Sequence, residues 1–401
     1  MNCARKITDS LYWVGVNDRK IALFENVYPV PRGVSYNSYL LTDEKCALFD
    51  TADAAFTHHF LENIRGVLNS RPLDYLIVNH MEPDHCASII DIVNCYPDIK
   101  IVCTAKAAGI MKQFFDFDVD KHVISVKEGD TLSLGSHELT FVMAPMVHWP
   151  EVMVSYEKTE KILFSADAFG SFGAIDGNLF ADEIDYESVW LPEARRYYTN
   201  IVGKFGMQVQ ALLKKASGLD ISMICPLHSL VWRKNIPWLL DKYSKWSSYE
   251  PEEKSVVLAY ASVYGHTENA VDILAAKLAE KGVANLSVYD VSKTHPSYII
   301  ADAFRCSNLV FASITYNNGI FCNMDTLLHQ LAAHNLQNRT VAFMENGTWA
   351  PVSGKHMREA LSSLKNIRVL EESVTIKSSL KDDQEASISA MADSIYQSLI
   401  G

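Results

Sequence analysis

After residue 254 the chain repeats one pattern that few folds accommodate. Short apolar runs (Ser255-Val-Val-Leu-Ala-Tyr260, Leu286-Ser-Val-Tyr-Asp290, Asn308-Leu-Val-Phe-Ala-Ser313 and Thr340-Val-Ala-Phe-Met344) alternate with stretches of helical periodicity such as Glu268–Lys281. Such alternation specifies a doubly wound parallel sheet with helices on both faces. The polar, proline-broken segment Ser247–Lys254 just before it reads as a linker. The expectation is therefore two domains, residues 1–250 and 255–401.

The first domain opens differently. Strand-like runs (Leu11–Val16, Lys20–Phe24, Asn37–Leu41, Cys46–Phe49) follow one another without long helices. A helix over Ala54–Leu68, a buried strand over Leu73–Val78, a second strand-rich passage over His122–Phe164 and helical segments over Glu187–Ala216 come next. Two strand-rich blocks, each with helices, suggest an αββα sandwich, so both halves belong to the α/β class.

Composition narrows the partners. A formal charge of −12 without a basic stripe argues against nucleic acid. No run of 18 apolar residues exists and the N-terminus lacks the apolar core of a signal peptide, so the expectation is a cytoplasmic protein without a membrane partner. The eight cysteines are scattered with no C-x-x-C pair, which excludes a four-cysteine zinc or iron–sulfur module of the rubredoxin type.

The densest chemistry lies in Asn79-His80-Met81-Glu82-Pro83-Asp84-His85, four potential ligands in six residues directly after the apolar run Leu76-Ile-Val78. A loop leaving a buried strand can aim such side chains at one point; the plainer reading is a polar turn capping the next helix. His148, Asp167 and His228 each follow an apolar run in the same way. Four strand ends delivering imidazole or carboxylate are hard to ascribe to chance, whereas His58, His59, His122 and His137 lack that placement and read as surface residues. Seven ligands exceed what one four-coordinate zinc uses, so two metals are the economical reading. Nitrogen and oxygen donors without thiolate suit non-haem iron and leave zinc open.

These residues resemble a known family. His80-x-Glu82-x-Asp84-His85 with His148, Asp167 and His228 is similar to the metallo-β-lactamase-like fold. Glu82, where hydrolytic zinc members usually have His, followed by a flavodoxin-like domain, resembles the flavodiiron proteins. The resemblance implies a di-iron centre with His80, Glu82 and His148 on one iron, Asp84, His85 and His228 on the other, and Asp167 bridging. Cys225 and Ser229 flank the last ligand where glycines are common.

The second site is read from three loops. Ser262, Val263, Tyr264, Gly265, His266 and Thr267 join the first strand of the second domain to its first helix, forming an anion cradle suited to one phosphate. The pattern is neither G-x-G-x-x-G nor a P-loop, so FMN fits better than NAD or ATP. Ser313, Ile314, Thr315, Tyr316, Asn317, Asn318 and Gly319, and then Glu345, Asn346, Gly347, Thr348 and Trp349, each follow a parallel strand, where ligand crevices form. Tyr316 and Trp349 can stack on an isoalloxazine ring, and this set is similar to the FMN loops of flavodoxins. An anionic Glu345 near the flavin would disfavour its reduced anion.

The resemblance implies reduction of O2 to water and/or of NO to N2O, with FMN feeding the irons. It implies rubredoxin or a reduced deazaflavin as donor, and a head-to-tail homodimer or a dimer of dimers. Tyr197 and Tyr198 match a family segment that places a tyrosine near the irons, against the alternative of helix-surface aromatics. Two other readings stand beside this one: a zinc hydrolase carrying a flavodoxin-like module, and an electron carrier whose metal site no longer turns over.

Overall fold

The computed structural model describes residues 2–401. The chain falls into two units, one of residues up to Tyr198 together with Met207–Ser244, the other of Thr199–Gly206 with Lys245–Gly401.

The first unit contains two sheets. Seven strands run in the order Arg5–Lys6, Leu11–Trp13, Tyr39–Thr42, Cys46–Phe49, Tyr75–Ile77, Lys100–Thr104 and Val123–Val126. The last four are mutually parallel and the first four antiparallel. Five strands form the other sheet: Thr131–Ser133, Glu138–Met143, Met153–Glu157, Ile162–Phe164 and Met223–Cys225. Phe49 of the first sheet stacks on Phe164 of the second at 3.7 Å between ring centroids, and Tyr39 meets the same ring at 5.7 Å. Inward-facing aromatic and aliphatic side chains thus fill the space between two sheets, with helices such as Thr57–Leu68 outside. That helix stops where Asn69 takes a left-handed conformation (φ 44°) and donates its N–H to Arg65 O.

The second unit carries one parallel sheet in the order Ser287–Asp290, Glu253–Ala261, Cys306–Tyr316, Arg339–Asn346, Ile367–Ile376, with Gly319–Ile320 paired antiparallel at its side. Numbered along the chain this is 2-1-3-4-5, the flavodoxin-like order. The strand period of two explains its layers. Val257, Ala259 and Ala261 pack with Ile299, Phe304, Leu327 and Met357 on one face. Val256, Leu258 and Tyr260 pack with Val271, Leu274, Ile388 and Met391 on the other. Helices therefore cover both sides, as the alternation of runs predicts. The apolar runs marked the strands too short, because polar residues at the carboxyl ends, such as Thr315-Tyr316 and Glu345-Asn346, continue the ladder.

Two histidines expected at the surface are buried. His137 is 8% exposed, with Nδ1 2.8 Å from Asp43 Oδ2 and Nε2 3.2 Å from Ser10 Oγ. His122 is 6% exposed, its Nδ1 donating to Ile99 O. Their partners lie far off in sequence, so local pattern could not reveal them. His58 and His59 are exposed as expected.

Candidate metal centre and flavin cleft

In the first unit the strand ends converge. The strand Tyr75–Ile77 runs into a loop whose backbone is held from behind by Asp50, a fully buried carboxylate just past Cys46–Phe49. Asp50 Oδ1 accepts the N–H groups of Asn79 (2.8 Å) and His80 (3.1 Å), and Oδ2 accepts Asn79 Nδ2 (2.8 Å). Burial pushes the Asp50 pKa up to about 6 against these hydrogen bonds. Thr51 holds His85 O with its N–H and its hydroxyl, both at 2.8 Å. Asp167 follows Ile162–Phe164, and His228 follows Met223–Cys225.

All seven side chains singled out in the sequence meet in two groups. His80, Glu82, His148 and Asp167 form one and Asp84, His85 and His228 the other, with the ligand atoms of each group within 4.8 Å of one another. Glu82 Oε2 lies 3.2 Å from His80 Nε2 and 3.1 Å from His148 Nε2. Asp84 Oδ2 lies 3.4 Å from His85 Nε2 and 3.3 Å from His228 Nε2. Asp167 serves both groups: Oδ2 is 3.1 Å from His148 Nε2 and 3.6 Å from His80 Nε2, while Oδ1 is 3.2 Å from His85 Nε2 and 3.9 Å from His228 Nε2.

This polar cluster is incomplete by itself. Both carboxylate oxygens of Asp84, Oδ1 of Asp167 and Nδ1 of His85 are buried without a hydrogen-bond partner, a costly condition unless a cation uses them. His85 Nε2 and His228 Nε2 point at each other 3.0 Å apart. Four imidazoles and three carboxylates with no thiolate fit a pair of divalent transition-metal ions. Cys86 stays outside, its Sγ donating to Met81 O. Desolvation opposes charge on these groups, but His148 and His80 hold the Glu82 carboxyl far below its usual range, and Asp167 and Glu82 hold His148 up at about 9.

Residues the sequence did not flag aim the imidazoles. Glu151 Oε1 lies 2.9 Å from His80 Nδ1 and accepts the Met81 N–H at 2.9 Å. Ser35 O accepts from His228 Nδ1 at 2.7 Å. Each contact fixes the ring so that Nε2 faces the centre. Glu25 sits at the tip of the hairpin formed by Leu23–Phe24 and Tyr28–Pro29, where desolvation and the neighbouring Glu82 carboxylate push its pKa up to about 8. Glu151 and Ser35 follow no apolar run in the manner of the seven, and Glu25, which does follow Lys20–Phe24, is brought to the centre by a hairpin tip that spacing alone does not reveal. Glu151→Gln is expected to keep the fold while weakening metal retention roughly 10- to 100-fold, read as metal content after dialysis against graded chelator; unchanged retention would contradict that role.

The two tyrosines separate. Tyr197 is fully buried, its hydroxyl has no partner, and its ring stands 5.4 Å from the His228 ring and 5.2 Å from Phe172. Burial, then the charges of Asp167, Glu82 and Asp84, push its pKa far up, so the phenol keeps its proton. Tyr198 is also buried but packs edge-on against Tyr243 at 5.0 Å.

In the second unit a cleft of about 800 Å3 opens at the carboxyl ends of the strands. Its lining includes Ser262, Val263, Tyr264, His266 and Thr267; Ile314, Thr315, Tyr316, Asn317 and Asn318; and Asn346, Gly347, Thr348 and Trp349. Ala350 and Ser378 join it from positions the sequence did not single out. Gly265 (φ 89°) makes the left-handed turn that starts the helix His266–Glu280, whose first residues His266 and Thr267 line the cleft. Volume, helix start and aromatic rim (Tyr264 89% and Trp349 88% exposed) fit a flavin mononucleotide.

Gly265, Ser313, Gly319 and Glu345 do not line the cleft. Ser313 Oγ donates to Ile314 O, and Glu345 turns to the opposite side of its strand. There Glu345 Oε2 accepts the Gly354 N–H at 2.9 Å and Oε1 the Thr375 hydroxyl at 2.8 Å. Asn346, next along the strand, faces the cleft and binds Thr267 Oγ1. Glu345→Gln is therefore expected to move the flavin midpoint potential by less than roughly 20 mV, since a charge outside the cleft is well screened. A shift of several times that size in a redox titration would return Glu345 to the flavin.

A parallel 2-1-3-4-5 sheet with a flavin-sized cleft, joined in one chain to a two-sheet sandwich bearing a seven-ligand centre, defines a flavin- and metal-dependent class of oxidoreductase. Comparison with known proteins agrees. A family model described as ODP family beta lactamase matches residues 34–229. The anaerobic nitric oxide reductase flavorubredoxin of Shigella flexneri is 30% identical over 390 residues, covering 95% of this chain and 79% of that protein. Among solved structures, rubredoxin oxygen:oxidoreductase from Desulfovibrio gigas superposes with a TM-score of 0.91 at 28% identity, over 99% of this chain and 98% of that one. A flavoprotein from Thermotoga maritima gives a TM-score of 0.90 at 27% identity, over 100% and 99%. The chain belongs to the flavodiiron protein family. The hydrolase alternative survives only as the shared fold of the first unit. Among the described residues no helix is long and apolar enough to cross a membrane.

Proposed function

We propose that the chain reduces O2 to two waters with four electrons and four protons, or two NO to N2O and water with two of each, or both. The observation that carries this reading is Asp167, whose two oxygens each face a different group of ligand atoms. His80, Glu82 and His148 would hold one iron, Asp84, His85 and His228 the other, and the cleft from Ser262 to Ser378 an FMN. Bound there, the flavin and iron pair supply the electrons and the binding of the gas.

The chain's own residues set the conditions. His80, His85 and His228 are fully buried, so most of the centre is shielded from water; Glu82 and His148, each 8% exposed, mark the edge where a small gas enters. The phenol of Tyr197, protonated and without a partner beside the His228 ring, is placed to donate a hydrogen bond towards the centre. The exposed Tyr264 and Trp349 at the rim of the flavin cleft support a second copy covering it, in a head-to-tail homodimer or a dimer of dimers. Electrons would reach the flavin from a donor such as rubredoxin, or from a reduced deazaflavin. The unpaired state of all eight cysteines is in keeping with the cytoplasm.

The test is anaerobic turnover of the reduced protein with O2 and with NO in parallel, rubredoxin serving as donor, alongside metal analysis. Consumption of either gas by protein carrying iron and flavin is expected; two zinc ions and no gas uptake would overturn the reading.

A further inference from the structure

Every side chain that lines the flavin cleft is uncharged save one type. Lysine, arginine, aspartate and glutamate are all absent from it, and its titratable members are His266, Tyr264 and Tyr316. Phenols ordinarily ionise near pH 10, whereas imidazole is the side chain that changes charge between pH 5 and 8. His266 is also the first residue of the helix His266–Glu280, where backbone N–H groups point outward and the helix dipole favours an anion. Its ring is exposed and, among the described residues, has no hydrogen-bond or ion-pair partner. Its neighbouring hydroxyls accept within the protein, Ser262 Oγ from the Gly265 N–H at 3.1 Å and Thr267 Oγ1 from Asn346 Nδ2 at 3.2 Å, which leaves their O–H groups to donate to a phosphate equally at every pH.

We infer that His266 is a proton-dependent clamp on the phosphate of the flavin, determining the preference for FMN over riboflavin and tightening binding as pH falls towards 6.5. The inference rests on the FMN reading of this cleft. A bound phosphate favours the charged imidazole, so binding above neutrality takes up a proton. The sign follows: an interaction that raises the ring's proton affinity is fully present at low pH and is lost as pH rises through the value it has in the complex. The phosphate's own second ionisation lies near pH 6. Between pH 6.5 and 8.5 the ligand therefore stays mostly dianionic, and a change in affinity reports on the protein.

The groups facing His266 leave that sign intact. Its own turn adds only the Tyr264 phenol, the strand Cys306–Tyr316 adds Tyr316, and the segment Asn346–Ala350 and Ser378 add no ionisable side chain. On its own helix Glu268 is nearest, with Oε1 accepting the Tyr260 hydroxyl at 2.9 Å. That carboxylate is present in the complexes of both flavins alike.

The experiment uses full-length protein stripped of flavin and titrated with FMN and with riboflavin by fluorescence quenching at pH 6.5, 7.5 and 8.5. For the parent, FMN affinity is expected to fall about three- to tenfold across that range, with riboflavin binding flat. His266→Gln should bind FMN more weakly with no slope, and His266→Lys should keep the pH 6.5 affinity up to pH 8.5. The inference is overturned if the slope persists in His266→Gln, if riboflavin shares it, or if His266→Lys is as weak as His266→Gln. Tight FMN binding without any slope would sink the clamp alone; failure to bind either flavin would sink the cofactor reading beneath it.

Discussion

Asp167→Ala protein is expected to leave purification depleted of both metals, not of one. The side chain is 1% exposed and its two oxygens approach imidazole nitrogens of both groups, at 3.1 and 3.2 Å. Alanine removes one negative charge from a site holding four histidines and leaves each group a ligand short. Loss of an outer partner such as Glu151 costs metal affinity roughly 10- to 100-fold, so loss of a shared ligand should cost more, and gas turnover should fall by at least about a hundredfold. Elemental analysis beside turnover checks this. Two irons per chain with near-parental turnover would show that Asp167 does not bridge.

Arg339→Met is expected to cost the second unit about 3–5 kcal/mol. The Arg339 guanidinium is 1% exposed and is spent on backbone carbonyls. Nε donates to Ala303 O, Nη2 to Phe304 O, and Nη1 to Tyr249, Gln337 and Asn338 O at 2.7 to 3.1 Å. Two of these acceptors lie at the end of the helix Pro296–Arg305, whose last carbonyls have no partner within the helix. Burial draws the pKa down to about 9, which still leaves the group charged at neutrality, its two Nη1 hydrogens shared among three of the carbonyls. Methionine fills similar space but donates nothing. For a unit of this size the loss corresponds to a melting temperature lower by roughly 10 °C, seen by flavin release or calorimetry. Arg339→Lys should recover only part, because an ammonium cannot reproduce the planar fork. A melting temperature within a degree of the parent would show that water replaces the lost donors.

The metal residues were legible for a simple reason. Each stands just beyond an apolar run, and strands packed in two sheets bring their ends to one place. His80, His148, Asp167 and His228 could thus be chosen over His58 and His59 before any contact was known. What aims them was not legible: Asp50, Glu151 and Ser35 act through partners roughly 30 to 190 residues distant, and such pairings leave no periodic trace. The flavin loops were found because crevices open where parallel strands end. Within them Glu345 departs from the expectation, since the strand Arg339–Asn346 runs two residues past its apolar stretch and its alternation turns Glu345 outward and Asn346 inward. Tyr197 and Tyr198 could not be told apart while the turn that orients them was unknown.

The sharing of Asp167 also bears on how this chain can vary. Because a single carboxylate belongs to both halves of the centre, a substitution at His80 alters the footing of His228 through that shared group. Double-mutant cycles across the halves should be strongly non-additive, the second loss costing little once the first has occurred. Natural divergence at these positions is then constrained to be epistatic, so drift should keep all seven together or abandon them together.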